Sequence, residues 1–287
     1  MQATAHFVLL VLLVAFEMSL GMMLAVHRHR YQNVQPSSVQ LNSATLSFSY
    51  IDSNEVVEAE ENRRASATRS SSQLLYADSD VIVFSKAHNL QSAPGFRSND
   101  SLATDVREMF RIERTDHMIA HRLDYATSGV IVYARNLDAL KALHNQFRQK
   151  HSVYKRYSAI ISGIMDGNEG EINLPIGKDM ARPPLCQIDT TLGKNSVTKW
   201  NLVACCARRN LSKVHLHPIT GRTHQLRLHL SAIGRPILGD LFYAPTQVYR
   251  AAPRLLLHAE ELRVRHPRTN EPMRFVSTCP FSIEEVM

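Results

Sequence analysis

Cysteine is scarce in this chain: four residues in 287, at Cys186, Cys205, Cys206 and Cys279. None forms a CxxC pair, and adjacent Cys205 and Cys206 cannot easily bridge each other. That argues against a disulfide framework and a thiolate zinc site, and the thiols read as reduced, in a reducing compartment. A P-loop, a dinucleotide fingerprint and any internal repeat are also missing, so no cofactor motif is present. Acidic residues are the minority, 26 against 33 Lys plus Arg, and the imbalance is uneven. Residues 1–72 hold five Arg and six acids, which leaves 28 basic and 20 acidic residues in the remainder. The basic part is therefore the part expected to fold, and it favours phosphate-bearing partners.

The N-terminus carries one long apolar run, FVLLVLLVAFEMSLGMMLAV, Phe7 to Val26, followed by HRHR. It has the length of a membrane span. Glu17 at its middle is costly in lipid, and the absence of Lys or Arg ahead of it weakens a secretory reading. A signal anchor, an organelle-targeting segment and a wrongly chosen start codon all stay open. Residues 31–72 are rich in Ser, Asn, Gln and Glu and lack periodicity, which reads as a disordered linker. The expected division is 1–72, a hydrophobic segment plus linker, and 73–287, a single folded domain.

Order is expected from about Leu74. LLYADSDVIVFSK reads as two short strands around an Asp78-Ser79-Asp80 turn. LATDVREMF after Ser101 places Leu102, Val106, Met109 and Phe110 on one helical face. GVIVYA is a fully apolar strand. NLDALKALHNQF reads as a helix capped by Asn136, with Leu140, Leu143 and Phe147 in a stripe. Strands are expected at YKRYSAIISGI, SVTKWNLVAC and SKVHLHP, a helix at THQLRLHLSAIG ending on Gly234, and closing strands at LLLHAEELRV and MRFVS. Strands often follow one another directly, so the expected class is α+β with a mixed, largely antiparallel sheet.

Three clusters carry candidate chemistry. In HRLDYATSG, Asp124 is either a turn residue or a carboxylate nucleophile kept ionised by a neighbouring Arg, with Arg122 two residues away. In PITGRTHQLRLHLSAIGRPILGD, Pro218 to Asp240, Leu226, Leu228 and Leu230 interrupt a basic run. That implies a buried element, and a buried Arg needs an anion. Asp124, a Glu or a phosphate would serve. On a helix starting near Thr223, His224 and Arg227 share a face. A zinc site from His215, His217, His224 and His229 is conceivable, but no carboxylate or thiolate supports it. In YKRY, Tyr154 and Tyr157 face opposite sides of a strand, and a cleft Tyr beside Lys155 and Arg156 suits stacking on a nucleobase.

HRLDYATSGVIVYA resembles the signature of the RluA family of RNA pseudouridine synthases. PITGRTHQLRLHLSAIGRPILGD and APRLLLHAEELRVRHP resemble its second and third blocks. LQSAPG, KRYSAII, RPP and LGKNSVTKW fall in the expected order around them. The similarity runs from about Leu74 to the C-terminus and is absent from the first seventy or so residues. It is strongest to the bacterial branch acting on both transfer RNA and large-subunit ribosomal RNA. One departure is KAHN, Lys86 to Asn89, where the family usually has a Lys-Pro-x-Gly turn.

The resemblance implies a pseudouridine synthase fold with a central catalytic cleft. It implies Asp124 as the catalytic aspartate and Tyr157 in contact with the target base. Arg227 is implied to pair with the catalytic carboxylate, and Arg122, beside His121, to help open the RNA around a flipped nucleotide. No cofactor or metal is expected. The expected partner is RNA, tRNA or rRNA or both, rather than DNA, with the chain acting as a monomer. Residues 7–26 would serve as a membrane or import contact, in an organelle or the cytoplasm. Two alternatives remain: a non-catalytic RNA-binding protein of the same fold, and a metal-dependent hydrolase using the His cluster.

Overall fold

The computed structural model describes residues 71–95, 99–149 and 151–286. The hydrophobic segment 7–26 and nearly all of the expected linker lie outside the described residues. Among those described, no helix is long and apolar enough to cross a membrane. Eleven strands are described: β1 Gln73–Ala77, β2 Val81–Lys86, β3 Ser128–Ala134, β4 Tyr154–Ser162, β5 Glu169–Asn173, β6 Ile176–Lys178, β7 Cys186–Ile188, β8 Val197–Cys206, β9 Leu211–Pro218, β10 Leu257–Arg265 and β11 Pro272–Val276. Four α-helices accompany them: α1 Leu102–Phe110, α2 Leu137–Arg148, α3 Gln225–Ala232 and α4 Thr246–Arg250.

Nine strands form one sheet in the order β1-β2-β3-β10-β4-β9-β8-β5, with β11 also on β10, while β6 and β7 make a separate hairpin. Every pairing is antiparallel except β3 with β10. The α+β expectation holds. β10 is the shared strand. One edge pairs with β4. The other pairs with β3 at His258 and Ala259, then with β11 from Glu261 onward.

All seven residues of β3 are buried, because both faces are covered. Val130, Val132 and Ala134 pack with Leu140 and Leu143 of α2, while Ile131 and Tyr133 pack with Leu102 and Val106 of α1. A strand covered on both faces loses the usual polar alternation. α2 starts where Asn136 Oδ1 accepts the Ala139 N–H at 2.8 Å, as the capping pattern implies. In α1 the buried residues are Leu102, Ala103 and Val106, and Met109 is 63% exposed. Phe110 closes that end of the cluster instead of Met109. The short strands β5, β6 and β7 escaped the sequence reading. β5 buries a single residue, Ile172, and β6 and β7 have three residues each, too few for a period to show.

The β3–β10 contact depends on Gly129, whose φ is +115°. A Cβ there would sit 2.1 Å from the Ala259 carbonyl oxygen. Backbone meets backbone, so no side chain can move to relieve it. We predict that Gly129→Ala lowers stability by on the order of 3 kcal/mol or prevents folding, measured by chemical denaturation. Stability equal to wild type would show that β3 and β10 separate freely.

Candidate active site

The segment that carries Asp124 has little regular structure of its own and is held from outside. Ser92 Oγ donates to Leu123 O at 2.7 Å and accepts the Leu123 N–H at 3.0 Å. The Tyr125 carbonyl accepts from the Leu90 N–H at 3.2 Å and from Lys86 Nζ at 3.3 Å. Lys86 also donates to Ala87 O and Leu90 O, both at 2.8 Å. The KAHN turn, which departs from the family pattern, is thus the scaffold of the Asp124 loop. Asn89 takes φ +55° there, a left-handed conformation that Asn tolerates better than most non-glycine residues.

Arg227, on α3, is 4% exposed. Its main anion is Asp240, which is fully buried: Arg227 Nε donates to Oδ2 at 2.8 Å and Nη2 to Oδ1 at 2.6 Å. Asp240 also accepts the Phe242 and Tyr243 N–H groups. Burial works against both charges, yet mutual attraction and the paired hydrogen bonds win. The guanidinium pKa is raised and that of Asp240 is lowered. The rings of Phe242 and Tyr243 lie 4.9 and 5.3 Å from the guanidinium carbon. The remaining nitrogen, Nη1, faces Asp124 Oδ2 at 3.7 Å. Asp124 was one of the anions considered for a buried Arg. The structure gives Asp240 the two-pronged contact and Asp124 the third nitrogen.

Asp124 and Arg227 lie at the junction of a small recess and a broad cleft of about 900 Å³. Arg122, Arg148, Lys155, Arg222 and Arg227 line the cleft, and Asp124 is the one carboxylate among the described residues lining it. The net positive sign suits a polyanion. Tyr157 borders the cleft on β4, and burial together with the Asp124 charge raises its pKa, so the hydroxyl stays protonated. Tyr154, three residues earlier, lies against His217 instead, and Arg263 covers its ring. Arg122 is exposed at the cleft. His121 is stacked on Phe147 with centroids 4.6 Å apart, and its Nε2 accepts the Val132 N–H at 3.1 Å. Burial, with the Lys155 charge, pushes its pKa down to about 3. His121 therefore ties the loop to β3 as a neutral acceptor.

The four other histidines do not gather into a ligand set. His215 faces Glu260, His217 lies on Tyr154, His224 bonds Tyr243, and His229 meets Thr198 and the Leu174 carbonyl. Helix α3 begins at Gln225, not Thr223, and His224 caps it with φ +54°. The cause is Gln225, whose Oε1 accepts from Thr220 Oγ1 and the Arg222 N–H while Nε2 donates to Val197 O and Thr198 Oγ1. Gln225, Asp240, Tyr243 and Lys86 were not recognised from the sequence. Asp240 left one signal, as an acid closing the same block that holds the buried Arg.

A mixed sheet with a cationic cleft and one carboxylate beside an anchored guanidinium describes a site suited to chemistry on a polyanion. A family model described as RNA pseudouridylate synthase matches residues 80–232. The dual-specificity RNA pseudouridine synthase RluA of Haemophilus influenzae is 42% identical over 210 residues, which cover 72% of this chain and 93% of that protein. The Escherichia coli K12 protein of the same name is 39% identical over the same coverage. The structure of human RNA pseudouridylate synthase domain containing 1 superposes with a TM-score of 0.63 at 29% identity, covering 76% of this chain and 87% of that one. The chain belongs to the RluA family of RNA pseudouridine synthases. It is an isomerase that converts uridine to pseudouridine in RNA.

Two expectations follow from the buried charges. Asp240→Asn leaves the Arg227 guanidinium buried without its main anion, and should cost about 3–5 kcal/mol, read by denaturant unfolding. A change below 1 kcal/mol would mean that Asp124 alone suffices as partner. Lys86 is 1% exposed, and burial pushes its ammonium from the usual 10.5 down to about 7, with Arg254 adding repulsion and Asp124 opposing both. The unfolded chain then holds this proton up to about pH 10, whereas the folded one releases it near 7. Stability tied to Lys86 therefore rises with pH across that window. Lys86→Met removes this dependence, so the stability of wild type relative to the variant should climb from pH 7 to pH 10. A pH-independent difference in melting temperature would contradict the burial of a charged lysine.

Proposed function

We propose that this chain isomerises uridines in structured RNA, in transfer RNA and large-subunit ribosomal RNA, with Asp124 as the nucleophile. One observation carries the assignment: a cleft carboxylate held 3.7 Å from a guanidinium that Asp240 has already fixed. The fixed cation sets a positive neighbour beside the Asp124 carboxylate in a partly enclosed site, where a carboxylate can act as a nucleophile. A turn residue of purely structural use needs no such partner.

The target uridine leaves its stack to reach Asp124, at a cost of a few kcal/mol. Arg148, Lys155 and Arg222 on the cleft wall offset that cost by gripping backbone phosphates. Arg122 is exposed beside the nucleophile, where it can fill the gap left by the extruded base. Tyr157 offers a ring for the uracil to stack on. Asp124 attacks the nucleoside, the N1–C1′ bond breaks, the uracil turns, and a C5–C1′ bond forms as the bond to Asp124 is released. The proton lost from C5 is balanced by one gained at N1, so no redox step or group donor is required. We read the setting as an organelle or the cytoplasm, with residues 7–26 as an import or membrane contact.

Asp124→Asn separates nucleophile from turn residue, because Asn suits turns as well as Asp does but lacks the nucleophilic charge. The variant should fold and bind RNA with near wild-type affinity, yet form no detectable pseudouridine at high enzyme and long incubation. The readout is chemical probing of pseudouridine on cellular RNA for both proteins. Turnover at the wild-type rate would return Asp124 to a structural role.

A further inference from the structure

We propose that His224 is a substrate-binding residue. It presents an Nε2–H donor, fixed in one tautomer by Tyr243, to a carbonyl oxygen of the uracil beside Asp124. The proposal deepens the uridine-isomerase reading and rests on it. His224 borders both the recess that holds Asp124 and the wider cleft. Its left-handed backbone puts it just ahead of α3, and its side chain makes no helix-capping hydrogen bond. The imidazole bonds Tyr243 through Nδ1 instead of capping the helix.

The tautomer follows from the one acceptor in hydrogen-bond contact with the Tyr243 hydroxyl among the described residues. Tyr243 Oη accepts the Cys186 backbone N–H at 2.9 Å, a group that can only donate. The hydroxyl has one hydrogen of its own, and Tyr243 is 7% exposed. The acceptor it reaches is His224 Nδ1, at 2.9 Å. Burial raises the Tyr243 pKa, so that hydrogen is retained. Burial and the Arg227 charge push the imidazole down to about 4, so the ring is neutral. A neutral imidazole with Nδ1 accepting carries its hydrogen on Nε2. No hydrogen bond from a protein group to Nε2 occurs among the described residues, and His224 lines both the recess and the cleft.

Around that donor the recess holds Asp124 and Arg227, with Phe242 and Tyr243 flanking the imidazole at centroid distances of 5.5 and 5.6 Å. A uracil placed against Asp124 brings carbonyl oxygens into this space, and a fixed neutral donor suits them. Cytosine would offer an amino group in place of one carbonyl. The chain from Cys186 through Tyr243 to His224 also ties the β6–β7 hairpin to the recess, so the donor is set by the folded protein before RNA arrives.

The test uses the full chain and in vitro transcribed transfer RNA and large-subunit ribosomal RNA, with wild type, His224→Leu, His224→Gln and Tyr243→Phe compared. Leu removes the donor and should lower kcat by on the order of ten- to a hundredfold, with RNA affinity and melting temperature little changed. Gln places an amide N–H near the Nε2 position and should recover much of the loss. Nitrogen NMR of histidine-labelled protein at pH 7 should show the Nε2–H tautomer at His224 in wild type and a mixture in Tyr243→Phe. A wild-type Nδ1–H tautomer overturns the proposal, even if the Leu variant misfolds. So does a folded Leu variant with full turnover, or a Gln variant no better than Leu. A wild type that forms no pseudouridine on either RNA overturns instead the function on which the proposal rests.

Discussion

Arg227 enters the interior as a full charge, and the floor of the cleft is organised around making that tolerable. An unpaired guanidinium at 4% exposure would be too costly to bury. Asp240 answers with two hydrogen bonds, and two backbone N–H groups complete the carboxylate's own coordination. That geometry needs Gly239, whose φ is +73° and where a Cβ would meet the Arg254 carbonyl oxygen at 1.9 Å. The rings that follow, Phe242 and Tyr243, cover the guanidinium and exclude water. With two nitrogens committed, the third is left pointing at Asp124. The pair of carboxylates therefore divides the labour: Asp240 secures the cation, and the cation attends Asp124.

The same economy governs the other titratable groups near the cleft. His121 and His224 are both held neutral by burial, but to different ends. His121 spends its accepting nitrogen on the Val132 N–H and stacks on Phe147, which fixes the approach to Asp124. His224 spends its accepting nitrogen on Tyr243 while the residue lines the cleft. Lys86 is buried without a carboxylate in hydrogen-bond contact and satisfies all three of its hydrogens on backbone carbonyls. Burying that amine has a use, because one of those carbonyls belongs to Tyr125, next to Asp124. The positive lining of the cleft and the neutral or paired groups beneath it are thus kept apart by depth.

The sheet supplies the rigidity this requires. β10 joins two blocks of core, one under β4, β8 and β9 and the other against β2, β3 and α2. The Asp124 loop leads into β3, and the Arg227 helix follows β9, so the elements carrying the two residues come from opposite sides of that central strand. Gly129, which lets β3 close on β10, lies five residues beyond Asp124.

Local rules reach a few residues, and what they could determine they did. The cap at Asn136, the apolar run of β3, the strand pair around Asp78-Ser79-Asp80 and the alternation of β9 are properties of neighbouring side chains. They are legible as pattern. The conspicuous residues Asp124, Arg122, Tyr157 and Arg227 were legible too, because unusual types stand together in blocks that resemble a known family. Partners were not legible. Arg227 meets Asp240 across 13 residues, Lys86 meets Tyr125 across 39, and Tyr243 meets Cys186 across 57. No periodicity encodes such distances. The left-handed turn at His224 escaped for the same reason, since Gln225 enforces it through Val197 and Thr198 on a different strand. The sequence alone determined which chemical groups the cleft would contain. Tertiary structure decided which of them are charged, which are paired and which face the cleft, because burial and long-range contact set those states.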